Sequence, residues 1–446
     1  MQNKTISFKD NSFYKLSDVN EDSAEISILR EVSGKSLQQF SDSEQIITIP
    51  ESTRNEIVTD SPILTCDYDN SVQTGNIVGF IGNRQISLSI TSRFAQGNSD
   101  FFIQYMLCKV LGINVTQFMF PSSRDYGLDL LPFLFPLYLK RALKQGIYRP
   151  YTRVEYNDSR LKGHIDISAH LKNNIPFRGT IAYNTRERID DNIITQLIRH
   201  TIEVISTNKN IKGILSIDRD TINNVRFIRA ITPSFNARDL YKVLHGNRKK
   251  LIHPYFTYYS PLQTLCKLIL MKQKGGFGES STQFNGILID VAWLWEEYLN
   301  IILKDIHIRH PRNRAKYGTV YVANAMKSHN TTEYKYTNIW ERYPDFYTDE
   351  MVIDAKYKFI SKEKIAREDV HQLITYMHIM NKKYGAFISP TKETCNEYDI
   401  FNLNGMGGVI SLLRMSIPQH NILDDFYRDI QKSEIDLINC INDISI

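Results

Sequence analysis

Strand, helix and strand textures follow one another between Met351 and Pro390, and two charged residues sit inside the first strand. Met351-Val352-Ile353-Asp354-Ala355-Lys356-Tyr357 reads as a strand introduced by the turn residues Thr348-Asp349-Glu350. Asp369 to Met380 carries Val370, Leu373, Ile374 and Met377 at helical spacing, and Gly385 to Pro390 is a second apolar strand. Successive side chains of a strand alternate between its faces, so Asp354 and Lys356, two apart, leave on the same side. Asp345, which follows Pro344 in the preceding segment, can meet them there.

Two carboxylates and a lysine that converge have a definite use in phosphodiester cleavage. Asp345 and Asp354 supply hard oxygen ligands suited to Mg²⁺, which polarises a scissile phosphate and lowers the pKa of a bound water. Lys356 beside them can position or help deprotonate that water and offset charge on the phosphorane. A bare Asp-x-Lys is far more often a solvated hairpin pair, so the surroundings decide. Downstream, Gln372 and Tyr376 are i and i+4 and project together from the side of their helix away from its apolar stripe. Upstream, Asp290 to Lys304 reads as a helix with Val291, Leu294, Trp295, Tyr298 and Ile302 as its core stripe. Glu296 and Glu297 lie at the edges of that stripe, and spacing does not choose between them or separate either from an ordinary solvated glutamate.

Composition narrows the class. A chain of 446 residues has room for two or three domains with cores of their own. With 42% apolar and 23% charged residues it is neither disordered, nor a coiled coil, nor a membrane protein. Residues 1–10 form no readable signal peptide, and Leu128 to Leu139, interrupted by Asp129, Pro132 and Pro136, is too short to span a bilayer and reads as a buried turn between helices. Cys66, Cys108, Cys266, Cys395 and Cys440 are odd in number, dispersed and without a Cys-x-x-Cys pair, which argues against a disulfide framework, a zinc ribbon or an iron–sulfur cluster and fits a reducing cytoplasm. The net charge of +5 permits a polyanionic partner without requiring one. Ser33-Gly34-Lys35-Ser36 imitates the end of a phosphate-binding loop, but Leu29 stands where that loop needs its first glycine, so this chain is not expected to hydrolyse a nucleotide.

The first hundred residues read as β-rich. Ile86, Leu88 and Ile90 alternate with Ser87, Ser89 and Thr91 after a turn at Gly82-Asn83, and short apolar runs occur at Ile26 to Leu29 and Ile46 to Ile49. Phe101 to Leu111 then reads as a buried helix stopped at Gly112. Between Tyr148 and Arg188 aromatic and basic residues interleave, a mixture that suits base stacking and phosphate contact and equally makes ordinary solvated strands. Asp191 is placed to cap a helix faced by Ile194, Leu197, Ile198, Ile202 and Ile205, and Gly275 to Thr282 reads as a loop between two helices.

These landmarks, in this order, resemble the McrC family, the nuclease subunits of McrBC-type 5-methylcytosine-dependent restriction systems, within the PD-(D/E)xK superfamily. Val78-Gly79-Phe80-Ile81 with Ile86 to Phe94 resembles the family's glycine strand and I-x-P-K segment, and Leu161-Lys162-Gly163-His164-Ile165-Asp166 its RG-x-I element. Leu294-Trp295-Glu296-Glu297-Tyr298 resembles LFE-x-Y, while Pro344-Asp345, Asp354-Ala355-Lys356-Tyr357-Lys358, Gln372, Tyr376 and Ser389-Pro390 match the nuclease core. The likeness spans roughly residues 75 to 392. Tyr343 stands where Arg is usual before Pro-Asp, Trp295 where Phe is usual, and Ser92-Arg93 replaces Pro-Lys in the strand expected to face a partner.

The resemblance implies an α/β chain, α+β overall. A C-terminal PD-(D/E)xK nuclease fold, with a mixed sheet flanked by helices, would follow an N-terminal β-rich region plus helices, divided as 1–185 and 186–446 with the catalytic core at about 286–392. It implies Mg²⁺ held by Asp345, Asp354 and, by position, Glu296, with Lys356, Gln372 and Tyr376 completing the catalytic set. It further implies an McrB-like AAA+ GTPase hexamer as partner, GTP being used by that partner, and modified double-stranded DNA as substrate. The basic run from His307 to Lys316 offers Arg309, Arg312, Arg314 and Lys316 as DNA contacts. The alternatives are a stand-alone RecB-like nuclease and a non-catalytic regulator of the GTPase ring.

Overall fold

The computed structural model describes residues 4–16, 24–41, 46–50, 62–68, 71–83, 86–96, 100–112, 131–209, 211–273, 284–311, 316–327, 335–394, 398–405 and 407–444. It divides the chain into two compact units, one formed by Met1–Leu130 with Gly276–Ile446 and the other by Leu131–Gly275. The expected boundary between 185 and 186 falls inside the second unit. Strand pairing is the reason: Asn285–Asp290 runs between Ile77–Gly82 and Ile46–Ile49, so the N-terminal sheet takes one of its strands from beyond residue 276. The expected loop at Gly275 to Thr282 lies outside the described residues.

In the first unit this sheet has the order Lys4–Lys9, Ile86–Thr91, Ile77–Gly82, Asn285–Asp290, Ile46–Ile49. Its inner strands approach so closely that a Cβ on Gly286 would lie 2.0 Å from the Phe80 carbonyl oxygen, and one on Gly79 2.1 Å from that of Ile287. Ile86, Leu88 and Ile90 alternate as expected, but both faces of their strand are buried, because Ser87 and Ser89 are covered as well. Ile26 to Leu29 lies in a helix, Ala24–Val32, not a strand. Ile26, Leu29 and Val32 recur at helical spacing and are fully buried, and a four-residue apolar run is too short to show that period by itself. Ser33 and Gly34 follow this helix in a turn, with Gly34 at φ +74°, so no strand leads into a phosphate-binding loop there. Arg93, expected on a partner-facing strand, is buried: it pairs with Asp10 at 2.7 Å and lies over the Tyr357 ring, 4.9 Å from its centroid.

The second sheet of this unit is mixed and has the order Phe346–Tyr347, Met351–Ala355, Tyr384–Thr391, Val409–Ser416, Asp399–Asn402, the three inner strands being parallel. The helix Arg367–Ile379 packs Leu373, Tyr376 and Met377 against Val352, Phe387 and Leu412. The helices Phe101–Leu111, Val291–Ile302 and Leu423–Ile444 are tied together by a buried carboxylate. Glu434 accepts from the hydroxyls of Tyr105 and Tyr298, each at 2.8 Å, and from Lys109 at 3.1 Å. Asp100 and Gly112 cap the first of these helices, Gly112 in the left-handed conformation expected of a C-terminal stop.

The second unit carries the helices Leu131–Lys144, Ile193–Thr207, Arg219–Ile231 and Tyr259–Gln273 and a sheet of Tyr151–Asp158, Ile181–Arg188 and His164–Ile165. Of Leu128 to Leu139, expected as a buried turn, residues 128–130 lie outside the described residues and the rest is helical. Pro132 sits in the first turn, where its missing N–H is harmless, and the burial of Phe133, Leu134, Phe135 and Leu139 offsets the one bond lost at Pro136. Asn192 rather than Asp191 caps the helix Ile193–Thr207, while Asp191 accepts from Ser234 N–H at 2.9 Å. No helix among the described residues is long and apolar enough to cross a membrane.

Candidate active site

Met351–Ala355 is an inner strand, paired antiparallel with Phe346–Tyr347 on one side and parallel with Tyr384–Thr391 on the other. Its apolar residues build the sheet core, and this places Asp354 at full burial. The strand ends at Ala355 because the Ala355 N–H is taken by Asp345 Oδ2, at 2.8 Å, instead of by a neighbouring strand. The Lys356 N–H still bonds the Ile388 carbonyl at 2.9 Å, which sets the direction of its side chain. Lys356 Nζ stands 2.8 Å from Asp354 Oδ2. The two form a buried ion pair, while Asp354 Oδ1 has no hydrogen-bond partner.

The helix Arg367–Ile379 supplies the other side of the site. Gln372 Oε1 accepts from Lys356 Nζ at 3.2 Å, Gln372 Nε2 donates to the Tyr376 hydroxyl at 2.8 Å, and that hydroxyl donates to the Tyr343 carbonyl at 3.0 Å. The chain of contacts thus runs from the lysine to the residue that precedes Pro344-Asp345. The expected stripe is turned, with Ile374 outward and Tyr376 buried, because the ring packs in the core while the hydroxyl finds both partners. Asp369, one turn before Gln372, lies 3.7 Å from Lys356 Nζ and pairs with Lys358.

Burial and proximity set the charges. Burial first, and then the neighbouring Asp354, push the Asp345 carboxyl up to about 7. Burial raises Asp354 as well, opposed by Lys356. Burial works to lower Lys356, but the carboxylates of Asp354, Asp345 and Asp369 together more than offset it, so the lysine is held above its ordinary range and remains an ammonium. Two carboxylates competing for protons in a desolvated site, one with an oxygen that lacks a hydrogen-bond partner, form a donor set that a hard divalent cation satisfies.

The structure therefore brings together Asp345, Asp354, Lys356, Gln372 and Tyr376. Glu296 is half-buried on the helix Val291–Ile302, and among the described residues no group of three or more His, Cys, Asp or Glu side chains is placed to hold a metal ion. Its neighbour Glu297 lies 3.9 Å from His310. Arg309 and Lys316 are exposed, Arg309 pairing with Asp349 at 3.4 Å, while Arg312 and Arg314 lie outside the described residues. Sequence reasoning missed Asp369 and His310 at this site. Asp369 shares the helical face of Gln372 and Tyr376 by its spacing of three and seven residues, a signal that was readable, whereas His310 meets the site through a contact 35 residues along the chain that no local pattern marks.

The sequence profile of McrBC 5-methylcytosine restriction system components matches residues 72–390. The chain belongs to that family. No curated protein matches this McrBC component in sequence. Among solved structures it is similar to a half-complex from the tetradecameric assembly of Thermococcus gammatolerans McrB AAA+ hexamers with bound McrC. The TM-score is 0.50 at 14% identity, over 99% of this chain and 100% of that one. A cryo-EM structure of the Thermococcus gammatolerans McrBC complex is also similar, with a TM-score of 0.32 at 14% identity over 70% of this chain and 89% of that one. At such identity the first likeness speaks for a shared mixed α/β fold.

Proposed function

We propose that this McrBC component is the DNA-cutting subunit, a Mg²⁺-dependent endonuclease of the PD-(D/E)xK type. The observation that carries the reading is the Asp354 carboxylate, fully buried beside Asp345 and paired with the Lys356 ammonium at 2.8 Å. Asp345 and Asp354 would hold Mg²⁺, with Glu296 as the proposed third ligand from its helix. When bound, the ion polarises a phosphodiester and lowers the pKa of water. Lys356 orients the attacking water and places a positive charge beside the phosphorane. Gln372 and Tyr376 keep Lys356 in register with the Pro344-Asp345 segment, and Arg309, Arg312, Arg314 and Lys316 are assigned to the DNA backbone.

We further infer that the partner is an McrB-type AAA+ hexamer and that GTP belongs to that partner. The second unit offers a surface for it: Leu161, Ile165, Ile167, Leu171, Ile175 and Phe177 are all exposed within one stretch that also carries Lys162, Lys172 and Arg178. So many exposed apolar side chains close together are characteristic of an interaction site.

The test is Mg²⁺-dependent cleavage of methylated plasmid by the chain assembled with its GTPase. Asp354→Ala and Lys356→Ala are expected to abolish cutting while leaving the partner's GTP turnover unchanged. Gln372→Ala is expected to slow cutting by about 10- to 100-fold, as the loss of a group that holds a ligand-side residue does. Wild-type cutting by the Asp354 variant would remove the assignment.

A further inference from the structure

The segment at 308–310 reaches the candidate site as an edge strand. Arg309 exchanges both backbone hydrogen bonds with Tyr347, at 2.9 and 3.0 Å, so the second sheet continues past Phe346–Tyr347 by one more partner. The next residue, His310, lays its ring on Phe346 with centroids 4.6 Å apart and an interplanar angle of 29°. Its side chain is only 10% exposed. Nδ1 lies 2.8 Å from the carbonyl oxygen of Asp345, and since a carbonyl can only accept, Nδ1 carries the proton and donates it. Nε2 faces Glu297 Oε1 at 3.9 Å.

What this contact does follows from the local chain. Pro344 has no N–H, so the Tyr343-Pro344-Asp345 segment cannot be held by an amide at its middle residue. Its carbonyls are held instead by side chains from two different elements: Tyr343 by the Tyr376 hydroxyl and Asp345 by the His310 imidazole. Between them the Asp345 carboxylate is aimed at the Ala355 amide and toward Asp354.

We propose that His310 is a positioning residue of this site, fixing the backbone of Asp345 so that its carboxylate keeps its place between Ala355 and Asp354. For its effect on cleavage this rests on the nuclease reading above, whereas the positioning itself does not. The residue acts through Asp345.

Two readouts on the full-length chain test it. Hydrogen exchange over residues 352–357 follows the Ala355 N–H that Asp345 accepts, with no metal or DNA present. His310→Ala should speed the exchange of that amide by about tenfold, the loss expected when one hydrogen bond is loosened. His310→Asn, whose amide nitrogen falls where Nδ1 stands, should keep the slow exchange; His310→Gln, whose amide reaches instead toward the Nε2 position, should not. Mn²⁺ binding, read by electron paramagnetic resonance, should weaken by about 10- to 100-fold in the Ala and Gln variants and return to the wild-type range in Asn, with Asp354→Ala as the control that abolishes it. Unchanged exchange in His310→Ala, or Asn and Gln variants that behave alike, overturns the proposal. The comparison of Asn with Gln decides even where the Ala variant fails to fold. A wild-type chain that binds no Mn²⁺ and cuts no DNA with its partner would sink the nuclease reading, while the exchange result would still decide the role of His310.

Discussion

Asp345 and Asp354 sit in a place that favours protonation until a cation arrives. The folded Asp345 carboxyl is pushed up to about 7 from an ordinary value of 3.8, so between those pH values the folded chain holds a proton that the unfolded chain has released. Stability from this group is therefore full below the unfolded pKa and is lost as pH rises through the folded one. Asp345→Asn, which cannot ionise and can still accept from Ala355, is expected to melt above the wild type at pH 8, with the difference shrinking toward pH 4. Mg²⁺ should raise the wild-type melting temperature at pH 8 and leave that of the variant where it was, because an ion that binds only the folded, ionised site stabilises it by mass action. Scanning fluorimetry across pH, with and without Mg²⁺, checks both. A variant less stable than wild type at pH 8, or equally responsive to Mg²⁺, would contradict this account of the pair.

At the scale of elements, the critical strand is Asn285–Asp290, which fills the place between Ile77–Gly82 and Ile46–Ile49. A fragment ending near residue 185 lacks it and leaves two strands of the first sheet with open inner edges, which pair with other chains. The closeness of the strands also fixes which residue stands at 286. Since a Cβ there would meet the Phe80 carbonyl at 2.0 Å, backbone must move to admit any side chain. Gly286→Val is expected to lower stability by about 3 kcal/mol, the upper range for overpacking, although valine is otherwise the better strand former. A wild-type urea midpoint in that variant would show that the sheet yields where the geometry says it cannot.

For the whole molecule, the second unit is the part whose surface has no account in cleavage chemistry. Ile167 and Phe177, 69% and 67% exposed, contribute little to its core, so Ile167→Asp with Phe177→Asp should leave the fold and its melting temperature intact. The same pair of changes should weaken binding to the AAA+ hexamer and with it the cutting that depends on the assembly, measured by sedimentation of the complex alongside plasmid cleavage. Wild-type binding by this variant would move the docking surface elsewhere. Robust cleavage by the wild-type chain with no GTPase present would favour the stand-alone nuclease alternative.

The sequence by itself determined the elements whose signal is local. A strand repeats every two residues and a helix every 3.6, so Asp354 and Lys356 on one face, Gln372 and Tyr376 one turn apart, and the stop at Gly112 were all legible from neighbours in the chain. Only the tertiary structure decided what depends on distant partners. It made Ile26 to Leu29 a helix under the first sheet, lent that sheet a strand from beyond the second unit, and buried Arg93 against Asp10 and Tyr357. It also brought His310, separated from Asp354 by an antiparallel ribbon of Val320–Lys327 with Lys335–Arg342, to the carbonyl of Asp345. Pairing across such separations, and the desolvation that raises both Asp345 and Asp354, arise from which surfaces are packed together, and no local period in the chain records that.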